Sequence, residues 1–348
     1  MVRTREKFDP DELSEVLRHY DVGQITSISE FERGSYAAPK VNIVSDRGRF
    51  LLKRRPRTDD DPFRVAFAHS LQRFLSTKNF PLPHLIGTRD DNNSMLKLGD
   101  AIYELYEFIE GDAYDGGLLA TYEAGKTLGI YHHLLKDFQS EYTPPRGHYH
   151  DAPMVYDSLR PLGEMMIQQP GMKGRGDELI KLLKRVRRLY SRAAKIVNTI
   201  GMPHWQSQIV HSDWHPGNVI YRKQHVVAVI DYDSARIRPR VMDVANGCLQ
   251  FSMVTGGRDL STWEPRTDVI RAKRFLRGYD EVNELTQDEL RVVPHLMQEV
   301  LLAQAIPPIV RTGTFAGLDG FGFLQVMAEK MEWLRDHHEF TDLDAEND

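Results

Sequence analysis

Cysteine is nearly absent from this chain of 348 residues. Cys248 stands alone, which excludes an intramolecular disulfide and any multi-cysteine metal site. A single cysteine of this kind reads as a small buried hydrophobe. Long apolar runs are missing as well. The longest strongly apolar stretch, Val226 to Ile230, falls far short of the ~20 residues needed to span a bilayer. Met1 to Tyr20 alternates charges with single apolar residues and lacks the apolar segment of a secretory leader. Basic excess is lacking too: 45 lysines and arginines face 50 acids, a formal net charge of −5, which argues against general nucleic-acid binding. No repeat or low-complexity tract interrupts the chain. The expectation is a cytoplasmic protein with neither a membrane nor a nucleic-acid partner; oligomeric state is left open.

What is present is an ordinary globular composition, 41% hydrophobic and 27% charged. The length exceeds what one core comfortably serves, so two lobes are expected. Residues 9–20 read as a short helix with an acidic start. Val41–Val44 and Phe50–Lys53, joined by a polar turn containing Gly48, read as a β-hairpin. Phe67, Leu71, Phe74 and Leu75 predict a helix over 62–76. Strands are expected at 95–98 and 101–109. Beyond Gly111 the texture becomes helical, with helices at 122–138 and 178–200 and a largely helical stretch over 269–338. The 178–200 helix carries an apolar stripe, and its many lysines and arginines mostly fill the opposite, solvated face. Residues 139–177, rich in proline, glycine, histidine and tyrosine, are expected to form a long loop. Residues 209–219 read as a polar loop, 226–230 as a short buried strand, and the acidic end, 342–348, as frayed.

The chemistry concentrates in residues 209–235. His211, Asp213 and Asn218 have the H-x-D-x-x-x-x-N spacing of a kinase catalytic loop. A short apolar strand follows and ends in Asp231, where a second metal-binding carboxylate belongs. Phosphoryl transfer demands positioning and charge neutralisation more than covalent chemistry. Asp213 can accept or orient the proton of an attacking hydroxyl. Asn218 offers a neutral oxygen and Asp231 an anionic one, the hard donors Mg²⁺ prefers. Pro216-Gly217 permits the tight turn between them. A zinc cluster of His211, Asp213 and His215 is disfavoured, because i,i+4 histidine ligation belongs on a helix.

HSDWHPGN (211–218) and VIDYDSA (229–235) resemble the paired motifs of the aminoglycoside phosphotransferase, choline kinase and type II homoserine kinase superfamily. That resemblance implies an α+β, bilobal protein-kinase-like fold: a small, mostly β N-terminal lobe over 1–109 and a larger, mostly helical C-terminal lobe over 110–348. It implies ATP and Mg²⁺ as cofactors, with the γ-phosphate passed to a hydroxyl of a small molecule such as homoserine, choline or an aminoglycoside. GRFLLKRR (48–55) resembles the strand of the nucleotide lysine, here Lys53. YELYEFIEG (103–111) resembles the adenine-reading hinge strand, with Glu107 and Phe108 as candidates. Gly34 and Ser35 lie in the phosphate-covering loop, which has one glycine where the family pattern has more. His132 ends a helical pattern of the family as a packed core histidine, His211 anchors the catalytic loop, and Asp243 in RVMDVA (240–245) would brace that loop. Asp233 would face a substrate amine or a metal, or stand exposed in a turn. The helix after Lys53 should supply a glutamate partner, yet 64–74 contains no acid; His69 and Gln72 are its nearest polar residues. A Ser/Thr protein kinase and a non-catalytic nucleotide-binding module are the alternatives.

Overall fold

The structure, a computed structural model, describes residues 5–56 and 61–344. The last four residues of the acidic end, and the first four of the chain, lie outside the described residues. Helix α1 (Pro10–Arg18) begins at a capping box: the Asp9 carboxylate accepts from the amides of Asp11 and Glu12, while Glu12 reaches back to the Asp9 amide. Three strands follow, β1 (Ile25–Glu30), β2 (Lys40–Ser45) and β3 (Gly48–Arg54), then α2 (Pro62–Thr77) and the strands β4 (Leu85–Ile86), β5 (Leu96–Leu98) and β6 (Ala101–Glu107). Helices α3 (Leu118–Leu134), α4 (Pro153–Ile167) and α5 (Gly176–Ile200) come next. Strands β7 (Ser207–Val210), β8 (Val219–Arg222), β9 (His225–Val229) and β10 (Arg236–Pro239) flank the two motifs of residues 211–218 and 229–235 along the chain. Helices α6 (Val241–Ser252), α7 (Val269–Val282), α8 (Gln287–Thr312) and α9 (Gly320–Asp336) complete the helical part.

These elements form two compact units, each gathered from separate stretches of chain. The first comprises the chain up to Ala113 together with Leu134–Pro145 and Gly217–Ala235. The second comprises Tyr114–His133, Arg146–Pro216 and the chain from Arg236 onward. In the first unit an antiparallel sheet runs in the order β1-β2-β3-β6-β4, with β5 also paired to β6. Its core sets Val16 and Tyr20, from α1 and just beyond it, against Ile43, Leu52 and Leu105 of the sheet. In the second unit α8 is packed by α4, α5, α6 and α9. Gly125 of α3 lets that helix meet α7, since a Cβ there would lie 2.0 Å from the Phe275 carbonyl oxygen. This is the α+β, protein-kinase-like architecture expected.

One expectation needs correction. Residues 139–177 are not one long loop, because α4 occupies their middle. Val155, Leu159, Leu162 and Met166 recur at helical spacing and are buried, a stripe obscured by Pro161 inside the helix. Helix α6 is one that sequence periodicity did not mark. It is buried almost all round, so it has no polar face to generate a helical rhythm. The solvated face of α5 is as expected except at Arg185, which is half-buried and forks onto Glu332 at 2.9 and 2.6 Å. Cys248 is fully buried on α6, and that burial pushes its thiol pKa up.

Candidate active site

Strand register decides the surroundings of Lys53. On β3 it lies directly opposite Glu104 of β6, and its ammonium stands 3.4 Å from both a Glu104 and an Asp233 carboxylate oxygen. Glu104 is fully buried and also takes Arg55 at 3.0 Å and the His69 Nε2 at 2.7 Å. Burial alone would push the Glu104 carboxyl up, but Lys53, the His69 hydrogen bond and Arg55 outweigh it and hold it well below the ordinary carboxylate range. Burial likewise opposes the charge of Lys53, yet Glu104 and Asp233 leave its pKa raised. The acid missing from the helix is therefore supplied by the sheet. His69, on α2 where the glutamate was expected, acts on the lysine through Glu104. Asp233 bonds Arg55 at 3.0 and 2.9 Å as well as Lys53.

A direct check follows. Glu104→Gln keeps the shape and removes the charge, leaving Lys53 and Arg55 short of a buried counter-ion. Breaking such a pair is expected to cost roughly 3 kcal/mol in denaturant unfolding at pH 7. Because folding lowers the Glu104 pKa, its contribution is complete above the ordinary value of 4.5 and is lost as pH falls through the folded value. The difference between wild type and Glu104→Gln should therefore shrink in acid. Equal stability at pH 7 would remove Glu104 as the partner of Lys53.

Gly34 has φ +86°, a left-handed conformation that favours glycine. The loop around it is braced by Arg5, whose guanidinium donates to the carbonyls of Ser35 and Gly34 at 3.1 and 3.2 Å and lies 4.6 Å over the Tyr36 ring. The Ser35 hydroxyl accepts from the Ala37 amide at 3.3 Å. At the far end of β6, the Glu107 amide donates to the His84 carbonyl and the Phe108 amide to the Arg49 carbonyl, each at 2.9 Å. Both hinge amides are thus already engaged within the sheet.

The β8–β9 hairpin brings the two proposed metal ligands to one end. Val219 pairs with Val229, and the Ile230 amide donates to the Asn218 carbonyl at 3.0 Å, so Asp231 emerges one residue beyond the last ladder bond. It does so at φ 68°, ψ 68°, a strained conformation for a residue other than glycine, of a kind that clusters at functional sites. Its side chain is exposed, and its charge acts on Lys53.

Asp213 lies in the second unit, on a loop whose backbone is fixed from behind. The Asp243 carboxylate accepts from the amides of both His211 and Ser212, and Ser212 has φ 65°. Asp243 also takes the His132 Nε2 at 3.2 Å, while His132 Nδ1 meets the Tyr279 hydroxyl at 2.9 Å. His132, His211 and Trp214 are fully buried, and the Trp214 carbonyl accepts from Asn246. Asp213 itself remains 37% exposed, with His215 Nε2 at 3.6 Å. The bracing role of Asp243 and the packed-core place of His132 are as anticipated.

Residues 27–291 match the sequence profile of the phosphotransferase enzyme family. The chain belongs to that family. It is 24% identical over 295 residues to a homoserine kinase of Sinorhizobium medicae, with 82% of this chain and 79% of the relative covered. Its fold is similar to an aminoglycoside phosphotransferase of Alicyclobacillus acidocaldarius (TM-score 0.71, 17% identity, 97% and 98% of the two chains covered). It is also similar to an amicoumacin kinase solved with AMP-PNP and Ca²⁺ (TM-score 0.67, 13% identity, 93% of each chain covered).

Within the phosphotransferase family frame, Lys53, Gly34, Ser35, Glu107, Phe108, Asn218 and Asp231 all fall in the first unit, and Asp213 in the second. Sequence reasoning missed Glu104, although it lay inside the quoted hinge motif, because only the β3–β6 register makes it the neighbour of Lys53. Among the described residues no helix is long and apolar enough to cross a membrane. Asn218 and Asp231, two oxygen donors at one end of one hairpin, fit Mg²⁺, whose sites commonly take few protein ligands and leave the rest to water and phosphate.

Proposed function

We propose that this phosphotransferase moves the γ-phosphate of ATP, with Mg²⁺, to a hydroxyl of a small molecule. The observation that carries the reading is the buried Lys53–Glu104 ion pair in the same unit as Asn218 and Asp231. Lys53, kept charged by Glu104, binds the α- and β-phosphates beneath the Gly34–Ser35 loop. The hinge strand at Glu107 and Phe108 binds adenine through backbone groups other than their two amides, which donate to the His84 and Arg49 carbonyls. Asn218 and Asp231 hold Mg²⁺, which when bound neutralises charge on the β- and γ-phosphates. Asp213, on its Asp243-braced loop, orients the acceptor hydroxyl and takes its proton.

An amino alcohol such as homoserine or choline, or an aminoglycoside, is the acceptor class. Homoserine comes first, because a relative bearing that activity aligns over about four-fifths of both chains. A peptide acceptor is disfavoured: Tyr232–Ser234, β10 and the start of α6 take up nearly all of the chain from Asp231 to Asp243, leaving no long segment to dock a peptide. The charged and partnered Lys53 counts against a non-catalytic module. The test is ATP consumption by the purified protein with Mg²⁺ against a panel of amino alcohols, aminoglycosides and sugars. One strong acceptor is expected. Nucleotide binding with no acceptor in the panel, and transfer to a Ser/Thr peptide instead, would overturn the small-molecule reading.

A further inference from the structure

Lys53 has charged neighbours on both sides. Across β3–β6 it faces Glu104, and across β2–β3 it faces Lys40. Directly opposed residues share one face of a sheet, so Lys40, Lys53 and Glu104 form a row. At such positions opposite charges stabilise and like charges destabilise. The Lys40–Lys53 pair therefore runs against the ordinary stability of a sheet.

Lys40 is half-buried, and among the described residues it forms no ion pair. Its ammonium donates to the Arg33 carbonyl at 3.3 Å, at the base of the phosphate-covering loop. It lies so close beneath that loop that a Cβ on Gly34 would be 2.5 Å from Lys40 Nζ. Burial and the charge of Lys53 push the Lys40 pKa down, against an upward pull from Asp231. Two like charges directly opposed across the sheet are thus unfavourable to the protein by itself.

We propose that Lys40 is a second phosphate-binding cation of the nucleotide site, paired with Lys53 across the sheet and aimed at the polyphosphate from beneath Gly34. This rests on the assignment of Lys53 and Gly34 to ATP. A polyanion resolves the like-charge pair, and a lysine ammonium provides by side chain what a loop with a single glycine offers less of by backbone. It also gives Gly34 a second reason to be glycine, since any Cβ would displace the ammonium.

The experiment is calorimetric titration of ATP, ADP and adenosine, with Mg²⁺, into wild type, Lys40→Met, Lys40→Arg and Lys53→Met, with thermal unfolding of each protein alone. Lys40→Met is expected to lose about tenfold or more in ATP affinity, the scale of one charge-assisted hydrogen bond. It should lose less for ADP and nothing for adenosine, and its nucleotide-free unfolding temperature should not fall. Lys40→Arg should retain most of the affinity. Equal losses for ATP and adenosine would mean that Lys40 only braces the loop through Arg33, and the proposal fails. It also fails, by itself, if Lys53→Met loses ATP while Lys40→Met binds as wild type does. A wild type that binds no ATP would bring down the nucleotide assignment and Lys40 with it.

Discussion

Asp213→Asn is expected to leave ATP affinity nearly unchanged while turnover falls by roughly two to four orders of magnitude. The substitution is close to isosteric, and the loop that carries it is held by other groups. Asp243 takes two successive loop amides, and His132, itself bonded by the Tyr279 hydroxyl, holds Asp243 in turn. The variant should therefore keep its fold and the proposed nucleotide-binding residues, which belong to the other unit, and lose only the group proposed to accept the hydroxyl proton. An interaction made chiefly in the transition state lowers kcat and kcat/KM together. Measuring turnover beside calorimetric ATP affinity decides it. Near-wild-type turnover would show that Asp213 is a loop carboxylate without a role in transfer.

Removing Asp231 should have the opposite signature. Asp231→Ala is expected to weaken ATP binding by tenfold or more when Mg²⁺ is present and by much less without it. An anionic oxygen donor holds the metal against the phosphates before any chemistry occurs. The left-handed backbone at Asp231 calls for a control, because alanine there carries strain of order 1 kcal/mol. Asp231→Asn tolerates that conformation better and should show the same loss of Mg²⁺-dependent affinity without the stability cost. Asn218→Ala should behave similarly and more mildly, since it removes a neutral donor while Asp231 remains. An Mg²⁺ titration of nucleotide affinity across the three variants is the measurement. If Asp231→Asn binds ATP with wild-type Mg²⁺ dependence, Asp231 is a turn former and the metal assignment is wrong.

Local chemistry was legible in the chain alone. The spacing of His211, Asp213 and Asn218, the strand leading to Asp231 and the lysine of GRFLLKRR all depend on neighbours a few residues apart. So do the acidic start of α1 and the apolar stripe of α5, which follow from helix-end chemistry and helical period. Signals failed where local rhythm is erased. The buried α6 has no polar face to contrast with an apolar one, and Pro161 disguises α4 as a loop. Tertiary structure alone decided which charges meet. Glu104 becomes the partner of Lys53, and Lys40 its like-charged neighbour, through the sheet order β1-β2-β3-β6-β4 and its register. Likewise Asp213 and Asn218, near neighbours in sequence, belong to different compact units because the chain returns to the first unit at Gly217. Strand register and chain return join residues far apart in sequence, and the forces that set them are distributed over whole cores, so no short motif can carry them.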